Sequence, residues 1–306
     1  MKILLLGKLG MLGSQMLKTL SGSEDFEMYA FDKDDLDISD KEALSSVFKR
    51  ISPNFVINCA AYTAVDACET EKDMALKING DAPGAMAAAC KEENAVLLHI
   101  STDYVFDGEN PEGYKEDDRP SPINVYGESK LRGERLIAEN WDKHYIVRTS
   151  WLYGENGKNF VETMLKLAET KSELDVVDDQ IGSPTYSKDL CEELIRCFLM
   201  PYVSNLPRQH NRTMGSEGDM AGNDSPVKKP SFGVYHLTNS DHTSWCGFAK
   251  KIFKLAKLDV KVNPVTSEEF PRPAKRPHCS ILQNTKLDCR MRSWKEALNA
   301  YLQLTT

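Results

Sequence analysis

The sequence predicts an α/β protein with a doubly wound parallel sheet and a smaller α/β C-terminal lobe. Two observations carry that prediction. Through the first half of the chain short apolar runs alternate with longer helix-like stretches, and glycines at 7, 10 and 13 follow the first apolar run directly. Runs that are apolar throughout, rather than at every second residue, describe strands buried on both faces, as a parallel sheet between two helical layers requires. With 306 residues the chain can bury a sizeable core and divide into two unequal lobes.

The first strand is expected at 3–6, where Ile3-Leu4-Leu5-Leu6 halts at Gly7, too soon for a secretory signal. A helix over 12–20 follows, then a strand at 28–31 and a helix over 41–50. Ser39 or Asp40 with Glu42 starts that helix, and Pro53 ends it by pushing the preceding residue out of the helical region. Strand 55–58, helix 74–92 and strand 96–100 complete the alternation, which loosens after Ile146-Val147-Arg148. Residues 245–258, "WCGFAKKIFKLAKL", make an amphipathic helix capped by Thr243-Ser244. The expected dinucleotide-binding domain is 1–148 with parts of 175–200, and the substrate-binding lobe is 149–174 with 233–306. Residues 203–232 are polar and rich in Gly, Pro, Ser and Asn, and read as a surface loop insertion between a helix ending near Leu199 and a strand at 234–237.

Composition narrows the function. Hydrophobic residues are 41% and charged residues 27% of the chain, and no apolar run approaches the roughly 18 residues that cross a bilayer, so no membrane partner is expected. A net charge of -8 argues against nucleic acid while leaving room for a local basic pocket. Eight cysteines without a Cys-x-x-Cys pair read as reduced, buried thiols of a cytoplasmic protein.

"GKLGMLG" lies where a strand passes into a helix, so Gly7, Gly10 and Gly13 allow a tight turn and close approach of a pyrophosphate to helix-terminal N–H groups. Asp32 ends the second strand nineteen residues after Gly13, the place of an acid that holds ribose hydroxyls. The neighbouring Lys33 is suited to the extra phosphate of NADP, so the cofactor is NADPH or NADH. Asp37 and Ile38 come next, near the adenine.

"YGESK" puts Tyr126 and Lys130 on one helical face, about 5–6 Å apart at Cβ. An isolated tyrosine titrates near 10, and a cation beside it is expected to lower that value and make Tyr126 a usable proton donor. Carbonyl reduction needs such a donor, because hydride arriving at carbon builds charge on oxygen. Upstream, "ISTDYVFDG" ends an apolar strand in hydroxyls and a carboxylate, where Ser101 and Thr102 are placed to meet a substrate oxygen.

These pieces, with "NCAAYTAVD" at 58–66 and "VRTSWLYG" at 147–154, occur in the order seen in extended short-chain dehydrogenases/reductases. More closely, the chain resembles the dTDP-4-dehydrorhamnose reductase family, also through "VVDDQIGSPTYSKDL" at 176–190 and "EEFPRPAKRP" at 268–277. The resemblance implies a Rossmann-type fold and reduction of the C4 keto group of dTDP-4-dehydro-L-rhamnose by NAD(P)H. It makes Thr102, Tyr126 and Lys130 the catalytic set, with Tyr126 the proton donor and Lys130 holding the nicotinamide ribose. Gly7, Gly10, Met11, Leu12, Gly13, Asp32, Lys33, Asp37, Ile38, Ala61, Tyr62, Thr63 and Ile100 would line the cofactor together with Tyr126 and Lys130. Thr102, Asp103, Tyr104 and Trp151 would meet the dTDP-sugar, and Arg272, Lys275 and Arg276 its diphosphate. An aromatic face such as Trp151 suits the apolar side of a deoxysugar. Some relatives bind magnesium at a homodimer contact through acids, one of which is Gln15 here, so no metal is expected. Two alternatives stay open: a related sugar-nucleotide epimerase or dehydratase, and a regulatory NADP-binding subunit. Dehydratases follow their threonine with Asp-Glu, whereas this chain has Thr102-Asp103-Tyr104.

Overall fold

The structure is a computed structural model that describes residues 1–203 and 229–305. Its centre is a six-stranded, wholly parallel sheet built from β1 (Lys2–Leu6), β2 (Glu27–Phe31), β3 (Phe55–Asn58), β4 (Val96–Thr102), β5 (His144–Thr149) and β6 (Gly233–His236). The order is β6-β5-β4-β3-β1-β2, so the chain reverses direction across the sheet at β1. Ligands of such sheets sit beyond the strand C-termini at that reversal.

Successive strand residues face opposite sides, and the sequence fills both. Ile3, Leu5, Ile57 and Val147 face α1 (Met11–Leu20), where Leu12, Met16 and Leu20 cover them together with Leu190 and Leu194. Leu4, Leu6, Val56 and Ile146 face the other layer, formed by α2 (Lys41–Ile51), α3 (Ala82–Glu92) and α4 (Val125–Asn140). Each fully buried Leu or Ile contributes about 1.5–3 kcal/mol, which is why continuous apolar strands specify a two-sided sheet. At the start of α2 the Asp40 carboxylate accepts from the N–H of Glu42 and of Ala43, both at 3.0 Å. Beyond its end Ser52, at φ 48°, turns the chain left-handed before Pro53.

A separate core holds the second lobe. Tyr153, Leu174, Phe248, Ile252, Trp294 and Tyr301 pack among α5 (Phe160–Ala168), α7 (Trp245–Ala256) and α8 (Trp294–Thr305), with α6 (Ser187–Leu194) running back against α1. Strands Glu173–Val177 and Lys261–Val265 pair in parallel at its edge. Ser244 caps α7 by accepting from the Gly247 N–H at 2.9 Å.

Three expectations need correction. The single helix over 74–92 is three pieces, because Leu76–Asp81 winds as a π-helical turn between Lys72–Ala75 and α3, with Pro83 in the first turn of α3. Strand 96–100 runs on to Thr102, carried by its pairing with Thr149. Gly233–His236, assigned to the second lobe, pairs with β5 and closes the edge of the main sheet. Helix Met200–Val203 continues past Leu199, and of the expected insertion, residues 204–228 lie outside the described residues. No helix among the described residues is long and apolar enough to cross a membrane.

Candidate active site

The glycine loop is as tight as a backbone permits. Gly7 sits at φ 85°, and a Cβ there would lie 2.7 Å from the Ala60 N; a Cβ on Gly13 would lie 1.9 Å from the Gly7 carbonyl oxygen. Gly10 has room, since its nearest neighbour would be 3.6 Å from an added Cβ. Beyond β1, β2 and β3 this loop opens a cavity of about 270 Å³, lined by Gly7, Gly10, Asp32, Lys33, Asp37, Ile38, Ala61 and Tyr62 among others. Asp32 accepts from the Leu9 N–H at 2.8 Å and from the Lys33 N–H at 2.9 Å, which fixes its carboxylate across the mouth of the loop. Hydrogen bonds from Ser39, chiefly its hydroxyl, hold the Asp37 carboxyl below the usual range. Lys8, not singled out from the sequence, pairs with Asp35 at 2.7 Å beside the same loop.

The remaining expected cofactor residues are placed differently. Leu12 turns its side chain into the core, leaving only its backbone toward the loop. Met11 lies against Gly157, Thr63 is exposed, and Ile100 offers its carbonyl to Lys130.

Thr102 ends β4, and Tyr126 and Lys130 stand one turn apart on α4. Asn124 caps that helix, accepting from the Gly127 N–H at 2.8 Å and donating to the Lys275 carbonyl at 2.8 Å. A Cβ on Gly127 would lie 2.0 Å from the Tyr104 carbonyl oxygen, so the glycine of "YGESK" lets α4 press against the end of β4. Tyr104 and Tyr126 consequently meet edge to face, centroids 5.8 Å apart. The Thr102 hydroxyl donates to Asp103 Oδ1 at 2.9 Å. Burial pushes the Asp103 carboxyl up to about 6, against hydrogen bonds from Ser280 and Thr102 that pull it down.

Burial also pushes the Tyr126 phenol up, with the Thr102 hydroxyl pulling down and Asp103 adding to the rise. This reverses the expected lowering by Lys130. The reason is visible in the bonds of the lysine: Nζ donates to the Ile100 carbonyl at 2.7 Å and meets His99 Nε2 at 3.2 Å. Burial in turn brings Lys130 down to about 8, with Glu134 and Cys59 pulling up. Ser101 is a second correction. Being one residue from Thr102 it faces the opposite side of the strand, where its hydroxyl donates to Glu134 at 2.5 Å. Glu134 is itself held by Arg148 at 2.6 Å in a buried ion pair, so Ser101 belongs to the core network.

Tyr104, which contacts Tyr126, also lines a cavity of about 450 Å³ together with Phe160, Trp245, Phe270, Arg272 and Arg276 among others. Asp66 pairs with Arg272 at 2.7 Å and with Arg276 at 2.9 Å. Against burial, which raises it, the Ala274 N–H and the two guanidinium groups hold Asp66 below the usual carboxylate range. Arg276 also lies over the Tyr104 ring at 5.9 Å. Lys275 is exposed and contributes its carbonyl to Asn124. Trp151 stacks on Trp245 with ring centroids 3.5 Å apart and packs against Gly182; it is Trp245 that lines the cavity. Phe160 carries no motif that the sequence could flag, and Trp245 and Phe270, although within 245–258 and 268–277, read there as ordinary apolar positions of a helix and a loop.

Gln15 hydrogen-bonds Thr19 within α1. Among the described residues the grouping with metal-ligand spacing is Glu193, Cys197 and Cys289, where the Glu193 carboxylate already pairs with Arg196 at 2.6 Å.

The family described as RmlD substrate binding domain matches residues 1–204 and 221–306. The spore coat polysaccharide biosynthesis protein SpsK of Bacillus subtilis is 40% identical over 305 residues, 99% of this chain and 97% of its own. A dTDP-4-dehydrorhamnose reductase of Aggregatibacter actinomycetemcomitans is 38% identical, covering 97% of each. The crystal structure of dTDP-4-dehydrorhamnose reductase from Bacillus anthracis in complex with NADP superposes with a TM-score of 0.86 at 40% identity, covering 100% of this chain and 99% of that one.

Proposed function

Since the chain belongs to the RmlD substrate binding domain family, matched over nearly its whole length, we propose that it reduces the C4 keto group of dTDP-4-dehydro-L-rhamnose to give dTDP-L-rhamnose, with NADPH or NADH as reductant. The observation that carries the proposal is the placement of Tyr126. It shares a helix face with Lys130, adjoins Thr102, and contacts Tyr104, which lines the arginine-bearing cavity. Cys59 lines the glycine-loop cavity and lies near enough to Lys130 to act on its charge, so it links that cavity to the lysine.

The residues of the glycine loop fit a dinucleotide, because the space that a Cβ would fill at Gly7 and Gly13 is already closed by backbone, and the first turn of α1, with no side-chain cap at Gly10, presents N–H groups that have no acceptor within the helix. Gly7, Gly10, Gly13 and Asp32 would hold it, with Lys33 near the 2′ position, and the bound nicotinamide supplies a hydride. What this chain adds is the proton and the grip. A phenol raised by burial keeps its proton at neutral pH, the state a donor needs while charge develops on the substrate oxygen. Thr102 orients that oxygen, and Lys130 returns the proton to Tyr126. Arg272 and Arg276, preset by Asp66, are suited to the diphosphate, while Trp245, Phe160 and Phe270 offer apolar faces to base and sugar.

A 4,6-dehydratase needs a second acid and base beside the threonine, and Tyr104 occupies that place, which favours simple reduction. A regulatory NADP-binding subunit would have no need of Thr102, Tyr126 and Lys130 together. Homodimeric assembly, a cytoplasmic setting and the absence of nucleic-acid binding are part of the same proposal. The test is a coupled assay from dTDP-glucose with the upstream dehydratase and epimerase, following oxidation of NADPH and of NADH. Reductant consumption that depends on the sugar nucleotide supports the reading; none, with folded protein and both cofactors, overturns it.

A further inference from the structure

Lys130 is 1% exposed and His99 is 1% exposed, and the two meet at 3.2 Å beneath the active site. Which of the two atoms carries the intervening proton is decided one residue further away. Asn58 Oδ1 accepts from the Ala60 N–H at 3.0 Å, so its amide cannot be turned over without losing that bond. Its Nδ2 therefore faces His99 Nδ1, at 2.9 Å, as a donor. An imidazole that accepts at Nδ1 and is neutral carries its hydrogen on Nε2. Burial, the larger cause, holds His99 well below its ordinary value and keeps it neutral whichever form Lys130 takes.

The Nε2–H then points at Lys130 Nζ. An ammonium group has three hydrogens and no lone pair, so it meets the Nε2–H donor to donor. A neutral amine donates to the Ile100 carbonyl at 2.7 Å and accepts from Nε2–H with its lone pair, satisfying every bond the geometry offers. We infer that His99, its tautomer locked by Asn58, is a positioning residue that selects the neutral form of Lys130 and sets the pH at which that lysine gives up and regains its proton. The other groups facing Lys130 are Cys59, which follows β3, and Tyr126 and Glu134 on α4 itself. Burial keeps Cys59 a thiol and Tyr126 a phenol. Glu134 is tied to Arg148, so none of these three sets an unpaired negative charge against the lysine that would hold it as the ammonium.

This inference rests on the proposed reduction for its consequence in turnover. In each cycle Tyr126 loses a proton to the substrate oxygen, the Lys130 ammonium gives one to the tyrosinate, and the resulting amine is reprotonated from solvent. A lysine held at its ordinary value would be reluctant to give; one held near 8 exchanges readily at neutral pH.

The deciding measurement needs neither substrate nor cofactor. Nitrogen-15 NMR of the histidine rings in the free protein is expected to show His99 as the Nε2–H tautomer, without titration between pH 5 and 8. A proton on Nδ1, or a titration in that range, overturns the inference whatever the enzyme's substrate proves to be. In turnover, His99→Phe removes the donor and should move the alkaline ionisation of kcat upward by about one pH unit, with the KM for the sugar nucleotide changed less than about threefold. His99→Gln, whose Nε2 amide can still donate toward Nζ, should restore the original profile. An unshifted profile in folded His99→Phe, or a Gln variant no better than Phe, also overturns it; if Phe fails to fold, the NMR result alone decides.

Discussion

Gly13 and Gly7 touch so closely that a methyl group on the first would lie 1.9 Å from the carbonyl oxygen of the second, whereas Gly10 between them would keep 3.6 Å. Gly13→Ala must therefore shift the backbone of the loop. The expected outcome is a lower melting temperature, with a cost of at least about 1–3 kcal/mol, and loss of cofactor binding. Gly10→Ala should lose about 1 kcal/mol or less, mostly as a poorer helix cap, and keep the fold while weakening the cofactor. Thermal melts with cofactor titrations check both; a normal Gly13→Ala protein would show that the loop relaxes freely.

Tyr126→Phe removes one hydroxyl from a ring that stays packed edge to face on Tyr104. The protein should fold and bind cofactor as before, while kcat drops by about 10² or more. Steady-state kinetics on the purified variant decide the matter, and a retained kcat would assign the proton to another group.

Cofactor choice turns on two neighbours with opposite charges. The Asp32 carboxylate is anchored by the Leu9 and Lys33 N–H groups, and the exposed Lys33 side chain lies at the same cavity. Both NADPH and NADH should support turnover within about a hundredfold in kcat/KM, since the acid repels a 2′-phosphate that the lysine attracts. Lys33→Ala should weaken NADPH alone. Equal losses with the two cofactors would mean that Lys33 does not read the phosphate.

Asp103 gives a prediction in pH. Its carboxyl rises from 3.8 to about 6 on folding, so the folded protein binds the extra proton between those values and the charged form carries a penalty above them. Stability should fall as pH rises from about 4 to about 6 on account of this group, and the full penalty, up to about 3 kcal/mol, is present at pH 7.5. Asp103→Asn should accordingly melt higher than the parent at pH 7.5, match it near pH 4, and lose activity. A variant that melts lower at pH 7.5 would show the carboxylate to be satisfied rather than strained.

The parts legible in the sequence are those that depend on local order along the chain. Apolar runs at β1, β3, β4 and β5 state their burial on both faces, and the capping set before α2 states its start, because each acts within a few residues. The glycine spacing and the pairing of Tyr126 with Lys130 are read in the same way, since strand-turn-helix and one helical turn fix their relative positions before any tertiary contact forms. Tertiary structure alone decided what surrounds those groups. What Ser101 meets on its side of β4 is Glu134 of α4, held in turn by Arg148 on the next strand. The upward shift of Tyr126 and the downward shift of Lys130 come from desolvation by neighbours distant in sequence. Trp245 enters the cavity by stacking on Trp151, and His99 stands between Asn58 and Lys130, contacts whose sequence separations run from 31 to 94 residues. Local pattern limits backbone conformation, but charge state and side-chain direction answer to whatever the fold brings within a few ångströms, and that information is spread across the whole chain.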